Sequence, residues 1–259
     1  MPAQRLNDAR AALAQAEKQW KGSVACSVDT ESRVIAHVFG DIPLSRNISI
    51  GGFAPIGLHE VICGHDMGAA SVLAWQLAQI GSGKPDGKPV HRSVFWIRQR
   101  RAIDQGGFYH LALPETPVTR PRPLMLTVDH QVTALWAGEE IAKSGQIASV
   151  ILETTDYDLT AARRMQLACE AGGTRMIVLR RALPHAGRLM PSSALTRWKI
   201  EPALGTQQNM TGNIHYLSLI GGRGVRPGSW KVKADATTLS LSVVDPLEDR
   251  LSQNQSIYT

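Results

Sequence analysis

The chain has 259 residues, with 28 Lys and Arg against 22 Asp and Glu and a formal charge of +6 at pH 7. This length buries a substantial core and excludes a peptide or a bare tail. No apolar run approaches the roughly 18 residues of a membrane span, and Met1-Pro-Ala-Gln-Arg5 leads into an Ala-, Glu- and Lys-rich stretch rather than a signal-peptide core, so no membrane partner and a cytoplasmic location are expected.

The cysteines Cys26, Cys63 and Cys169 stand far apart without C-x-x-C spacing, which fits buried thiols rather than a disulfide framework or a metal site. The charge is unevenly placed. Residues 1–170 carry 17 basic and 17 acidic side chains, whereas residues 171–259 carry 11 and 5. A basic surface in the last third suits nucleic acid or an acidic partner, and a solvated face without a ligand has the same composition.

In chain order, residues 6–21 are strong helix formers ended by Gly22, and Leu6, Ala9, Leu13, Ala16 and Trp20 recur at helical spacing, so one stripe needs a covering surface. A loop-like connector follows. From residue 58 short apolar runs alternate with helical ones. The pattern predicts strands at 58–63, 93–97, 123–128, 147–152 and 175–180, and helices at 69–80, 130–144 and 159–171. Asp129 and Asp158 are expected N-caps, Gly145 and Gly172 expected stops.

Apolar strands separated by helices predict an α/β fold with a mostly parallel central sheet covered on both faces. After residue 196, strand-like runs at 197–201, 213–220, 229–234 and 237–244, with the turn Gly221-Gly-Arg-Gly-Val-Arg-Pro-Gly228, predict antiparallel strands added to one edge. The expected organisation is an N-terminal helical arm and connector (1–50), a core domain (51–245) and a disordered tail (246–259).

The segment Gly57-Leu-His-Glu-Val-Ile-Cys-Gly-His-Asp-Met-Gly-Ala-Ala-Ser71 is laid out like a phosphate-binding loop, a strand running through glycines into a helix. A working loop reads G-x-x-x-x-G-K-[ST], with Lys on the phosphate oxygens and Ser or Thr on Mg²⁺. With Gly64 at the first glycine and Ser71 at the hydroxyl, Ala69 takes the second glycine's place and Ala70 the lysine's. Gly64, Gly68 and Ser71 are what remains of the loop.

These segments resemble the RecA-like ATPase core. Ala11–Val24 is similar to the helix with which a RecA subunit grips its neighbour, Ile56–Gly64 to the strand entering the phosphate loop, and Lys143–Glu153 to the strand carrying the Walker B acid, which falls on Glu153. Within that superfamily Asp158–Gly173, Pro191–Trp198 and Arg223–Trp230 resemble ImuA, a family of RecA-related accessory factors. Such factors act with the polymerase-like ImuB and a DnaE-type error-prone polymerase in translesion DNA synthesis.

The resemblance covers residues 6–235 and fails at catalytic positions. Trp96-Ile-Arg-Gln-Arg-Arg101 puts Arg100 where RecA has its water-orienting glutamate, and Met176–Arg181 ends in arginines where RecA has a γ-phosphate-sensing glutamine. An arginine cannot act as a carboxylate base. The resemblance therefore implies a non-catalytic adaptor without a cofactor, linking RecA to an ImuB-like polymerase homologue and, indirectly, a DnaE-type polymerase. The alternatives are an active RecA/KaiC-like ATPase, with Lys84 or an arginine replacing the missing lysine, and a SulA-like inhibitor of cell division.

Thr154–Asp158 is too short for RecA's first DNA loop, whereas Ala182–Pro191, with His185 and Arg188, has room for a second. Leu13 and Trp20 are the candidate partner-binding residues of the arm. Arg223, Arg226, Trp230 and Lys231 are a candidate DNA or partner patch with which weak DNA binding is expected; an edge hairpin whose tryptophan packs on the sheet has the same residues.

Overall fold

The computed structural model describes residues 47–48, 53–63, 67–79, 93–103, 123–155, 157–181, 191–203, 213–234 and 241–245. The arm, Gly64 and the loop with His185 and Arg188 lie outside them. In chain order the elements are β1 (Gly57–Cys63), α1 (Met67–Gln79), β2 (Val94–Gln99), α2 (Arg100–Ile103), β3 (Leu124–Val128), α3 (Gln131–Lys143), β4 (Ser149–Thr154), α4 (Leu159–Gly172), β5 (Arg175–Arg181), β6 (Thr196–Pro202), β7 (Asn213–Gly221), β8 (Gly228–Ala234) and β9 (Leu241–Asp245). They build a nine-stranded sheet in the order β3-β2-β4-β5-β1-β6-β7-β8-β9.

From β3 to β6 every pair is parallel; from β6 to β9 every pair is antiparallel. This corrects one expectation, since the 197–201 run is not an antiparallel addition: β6 pairs parallel with β1. Strands β1 and β4 are buried at every position, and β5 at every position before Arg181. Helices cover both faces of this half of the sheet, so nothing selects an alternating polar face.

One core layer joins Leu73, Ala74, Leu77 and Ala78 of α1 to Val61, Trp96, Ile151, Ile177 and Leu179, and continues beneath the antiparallel strands through Trp198, Leu217, Trp230 and Val232. The opposite layer joins Ala134 and Ala142 of α3 and Met165 and Cys169 of α4 to Leu58, Ile97, Val150, Leu152 and Val178. Each fully buried Leu, Ile or Val contributes about 1.5–3 kcal/mol. Both described cysteines are buried thiols; burial pushes that of Cys169 up to about 12.

The helix ends separate what sequence spacing could and could not fix. Asp158 caps α4 as expected, its Oδ1 accepting the Ala161 N–H at 2.8 Å. Asp129 is not the cap of α3. His130 holds that position without a side-chain bond, and Asp129 instead accepts the Arg100 Nε–H at 2.6 Å. This hydrogen bond, and then the Arg100 charge, hold the Asp129 carboxyl below the usual range.

Helix α4 runs through Gly172 and stops at Gly173, whose φ of 61° is the left-handed conformation favoured by glycine. Gly172 has another task. A Cβ there would lie 1.8 Å from the Ala142 carbonyl oxygen, so glycine lets the ends of α3 and α4 approach.

Candidate functional site

In open parallel sheets ligands collect at the carboxyl ends of the strands. Strand β1 ends at Cys63 and α1 begins at Met67, leaving residues 64–66 between them. Gly68 is exposed near the start of α1 and Ser71 is half-buried one turn on. Ala70, which the likeness to a phosphate-binding loop sets at the lysine's place, is fully buried with Leu73, Ala74, Leu77 and Ala78 on the stripe facing the sheet.

Glu153, near the end of β4, is 2% exposed. Its Oε1 accepts the Trp96 indole N–H at 2.9 Å and lies 2.7 Å from Arg98 Nε on β2. Its Oε2 lies 3.5 Å from Arg181 Nη2 on β5. Strands β2 and β5 are the immediate neighbours of β4, so the carboxylate is held between arginines from both sides. The residue of β2 that faces this acid is Arg98; Arg100, which the resemblance sets at the position of the water-orienting glutamate, starts α2 on the surface and pairs with Asp129. Strand alternation explains this, because Trp96 and Arg98 share the α1 face with Glu153.

A second buried cluster lies on the α3/α4 face. Glu60, fully buried in the middle of β1, accepts the Tyr157 hydroxyl on Oε1 and the Arg197 Nε–H on Oε2 at 2.7 Å. Arg180 Nη1 is 3.8 Å from the same Oε2, and its guanidinium sits 5.3 Å from the Tyr157 ring centre. Burial, then the Glu60 charge, pushes the Tyr157 phenol well above its usual range.

Sequence reasoning singled out neither Glu60 nor Tyr157. The available signal was His59-Glu60 inside a strand otherwise read as buried on both faces, where a charged residue needs a partner. His59 is served separately: its Nδ1 lies 2.8 Å from Thr196 Oγ1, its Nε2 lies 3.1 Å from the Ala54 carbonyl oxygen, and Phe53 stacks on the ring at 3.9 Å.

The C-terminal patch divides. Arg223 and Arg226 are exposed on the turn, and Lys231 is half-buried on β8. Trp230 is 6% exposed and tilted against Trp198 with ring centres 6.4 Å apart, so it is a core residue and not a surface for a base. The turn is anchored from the other end of the described chain. Ile48 bridges to Val225, the Arg226 N–H donates to the Asn47 carbonyl at 2.7 Å, and the Asn47 amide donates to the carbonyls of Arg226 and Pro227. Leu13 and Trp20 lie outside the described residues.

Together these observations define an α/β protein whose mostly parallel sheet, with an antiparallel extension beyond β6, is consistent with a RecA-like core. No family model matches the chain. Over 208 residues it is 28% identical to Protein ImuA of Caulobacter vibrioides strain NA1000 / CB15N, a match spanning 76% of this chain and 82% of the relative; Protein ImuA of strain ATCC 19089 / CIP 103742 / CB 15 matches to the same extent. This similarity agrees with the ImuA resemblance read from the sequence. Among the described residues no helix is long and apolar enough to cross a membrane.

Proposed function

We propose that this protein is a non-catalytic adaptor in SOS-type mutagenic translesion DNA synthesis, working in the cytoplasm to couple RecA to a complex of an ImuB-like polymerase homologue and a DnaE-type error-prone polymerase. The similarity to Protein ImuA supports a role in the response to DNA damage. The observation that carries its non-catalytic part is the state of Glu153. An acid that serves Mg²⁺ and a γ-phosphate needs its charge directed at the ligand, whereas this carboxylate is committed to Arg98 and Arg181. Phosphoryl transfer relies almost wholly on electrostatic positioning. Ala70 in the lysine position, packed into the core, supports the same reading.

Residues 6–24 are the proposed docking element on RecA, with Leu13 and Trp20 as anchors on one stripe. A few central apolar side chains dominate helix-in-groove interfaces, so cutting both to Ala removes several kcal/mol and lowers affinity by orders of magnitude. The experiment is co-purification of RecA and ImuB with the tagged full chain, with a truncation starting at residue 25, and with Leu13→Ala/Trp20→Ala. Circular dichroism checks that each variant is folded. Retention of both partners by the full chain and loss of RecA alone by the two variants is the expected result. Failure of the full chain to retain either partner removes the adaptor reading. Unchanged RecA association by the folded truncation moves the RecA contact off the arm.

A further inference from the structure

The outer face of the antiparallel extension carries an arrangement that the Arg223/Arg226 turn does not describe. Register places Tyr216 of β7 directly opposite Lys231 of β8, Ile214 opposite Lys233, and Ser218 opposite Ser229; on β6, Glu201 and Lys199 face Tyr216 and Ser218. Cross-strand partners share a face, so these side chains lie on one side of the sheet, Ile214 buried among them. The alternate residues Leu217, Trp230 and Val232 point into the core.

On this surface Lys233 and Ser242 are exposed, Lys231, Ser218 and Ser229 half-buried, and Tyr216 is 36% exposed. Lys231 and Lys233 stand two residues apart on one strand, about 6.6 Å. Among the residues whose side chains are described no carboxylate pairs with either of them, while Lys199 is tied to Glu201 at 2.7 Å. The register also sets Asp245 of β9 opposite Lys231.

We propose that this face is a binding platform for single-stranded nucleic acid, on which a base stacks on Tyr216 while Lys231 and Lys233, continued by Arg223 and Arg226 on the turn, follow the phosphates. A flat aromatic presented among cations is the composition that single-strand binders use, because every base has a π-face and every linkage a negative charge. The other large exposed aromatic among the described residues, Trp136 on α3, stands beside Val132 and with Glu140, itself paired with Lys143, one turn away. The proposal deepens the reading of the C-terminal basic patch as a DNA contact and does not depend on the adaptor role.

The test is fluorescence anisotropy of a labelled oligothymidylate with the full chain, alongside a duplex of equal length, at a series of salt concentrations. Tyr216→Ala is expected to weaken single-strand binding about tenfold or more while leaving the duplex nearly unaffected, and Tyr216→Phe to keep it, since the ring rather than the hydroxyl stacks. Lys231→Ala/Lys233→Ala is expected to flatten the salt dependence by about 0.7 in log–log slope for each lost single-strand phosphate contact.

Equal loss on single strand and duplex, or no loss with Tyr216→Ala, overturns the platform while leaving the basic turn as a DNA contact. Absence of any binding by the wild-type chain at low salt overturns both. Photocrosslinking of the wild-type protein to a bromodeoxyuridine oligonucleotide covers the case in which Tyr216→Ala does not fold. Crosslinks within residues 213–234 support the platform, and crosslinks confined elsewhere overturn it.

Discussion

Arg98 on β2 places its Nε 2.7 Å from Oε1 of Glu153 on β4, with both side chains buried. The pair occupies the carboxyl end of the parallel strands, where open α/β sheets collect their ligands. Taking two charges out of water costs several kcal/mol per ion, and their attraction offsets this only while both remain. Glu153→Ala is therefore expected to destabilise the fold by about 3–5 kcal/mol, since it leaves Arg98 and Arg181 facing each other. Chemical denaturation of Glu153→Ala, Arg98→Met and the double variant checks this. The double variant is expected to lose less than the sum of the single losses, and strict additivity would show that the pair is not coupled.

A second expectation concerns ATP. Purified protein is expected to release phosphate at background rate with and without DNA, and Glu153→Gln to leave that rate unchanged, because the carboxylate is held by arginines rather than by a metal and its phosphates. The measurement is DNA-stimulated phosphate release. Turnover that disappears in Glu153→Gln would refute the non-catalytic reading.

The acid limb of stability is expected to carry the mark of His59. Burial, and then the Arg175 charge, hold this imidazole well below the usual histidine range, against a smaller opposing effect of the Ala54 carbonyl. The neutral ring fits its partners: Nε2–H donates to the Ala54 carbonyl, and Nδ1 accepts from the Thr196 hydroxyl, whose oxygen takes the Trp198 indole N–H. As pH falls below about 6.5 the unfolded chain binds a proton that the native state refuses. The contribution of His59 is thus complete above that pH and is lost as pH falls toward the native-state value, at no more than about 1.4 kcal/mol per pH unit. His59→Gln is expected to lower stability at neutral pH yet show a shallower fall between about pH 6.5 and 5. Urea midpoints across that range decide it, and an unchanged slope would exclude His59 as the source.

Two adjacent glycines are expected to respond differently. Gly172→Ala drives a methyl to within 1.8 Å of the Ala142 carbonyl oxygen, a clash with backbone that forces α3 and α4 apart at about 3 kcal/mol or more. Gly173→Ala meets nothing within 4 Å but keeps a φ of 61°, at about 1–2 kcal/mol, and Gly173→Asn is expected to lose less. Thermal unfolding of the three variants should rank them in that order. Equal losses at the two positions would contradict the assignment of packing to one glycine and conformation to the other.

The sequence by itself determined the alternation of strands and helices from β1 to β5, because apolar runs bounded by glycines and a true cap at Asp158 are local signals read within one element. It also located Glu153 near the end of a central strand, since that depends only on chain order. What those residues touch was decided by the tertiary structure. Asp129 has the composition of a cap but serves Arg100; β6 reads like an edge addition but joins the parallel half; Trp230 suits a surface ring and a packed one equally until Trp198 is found against it. The buried ion clusters around Glu60 and Glu153 draw on strands that are neighbours in the sheet and far apart in the chain. Composition assigns a charge its cost of burial, but only the strand order chooses the partner that offsets it.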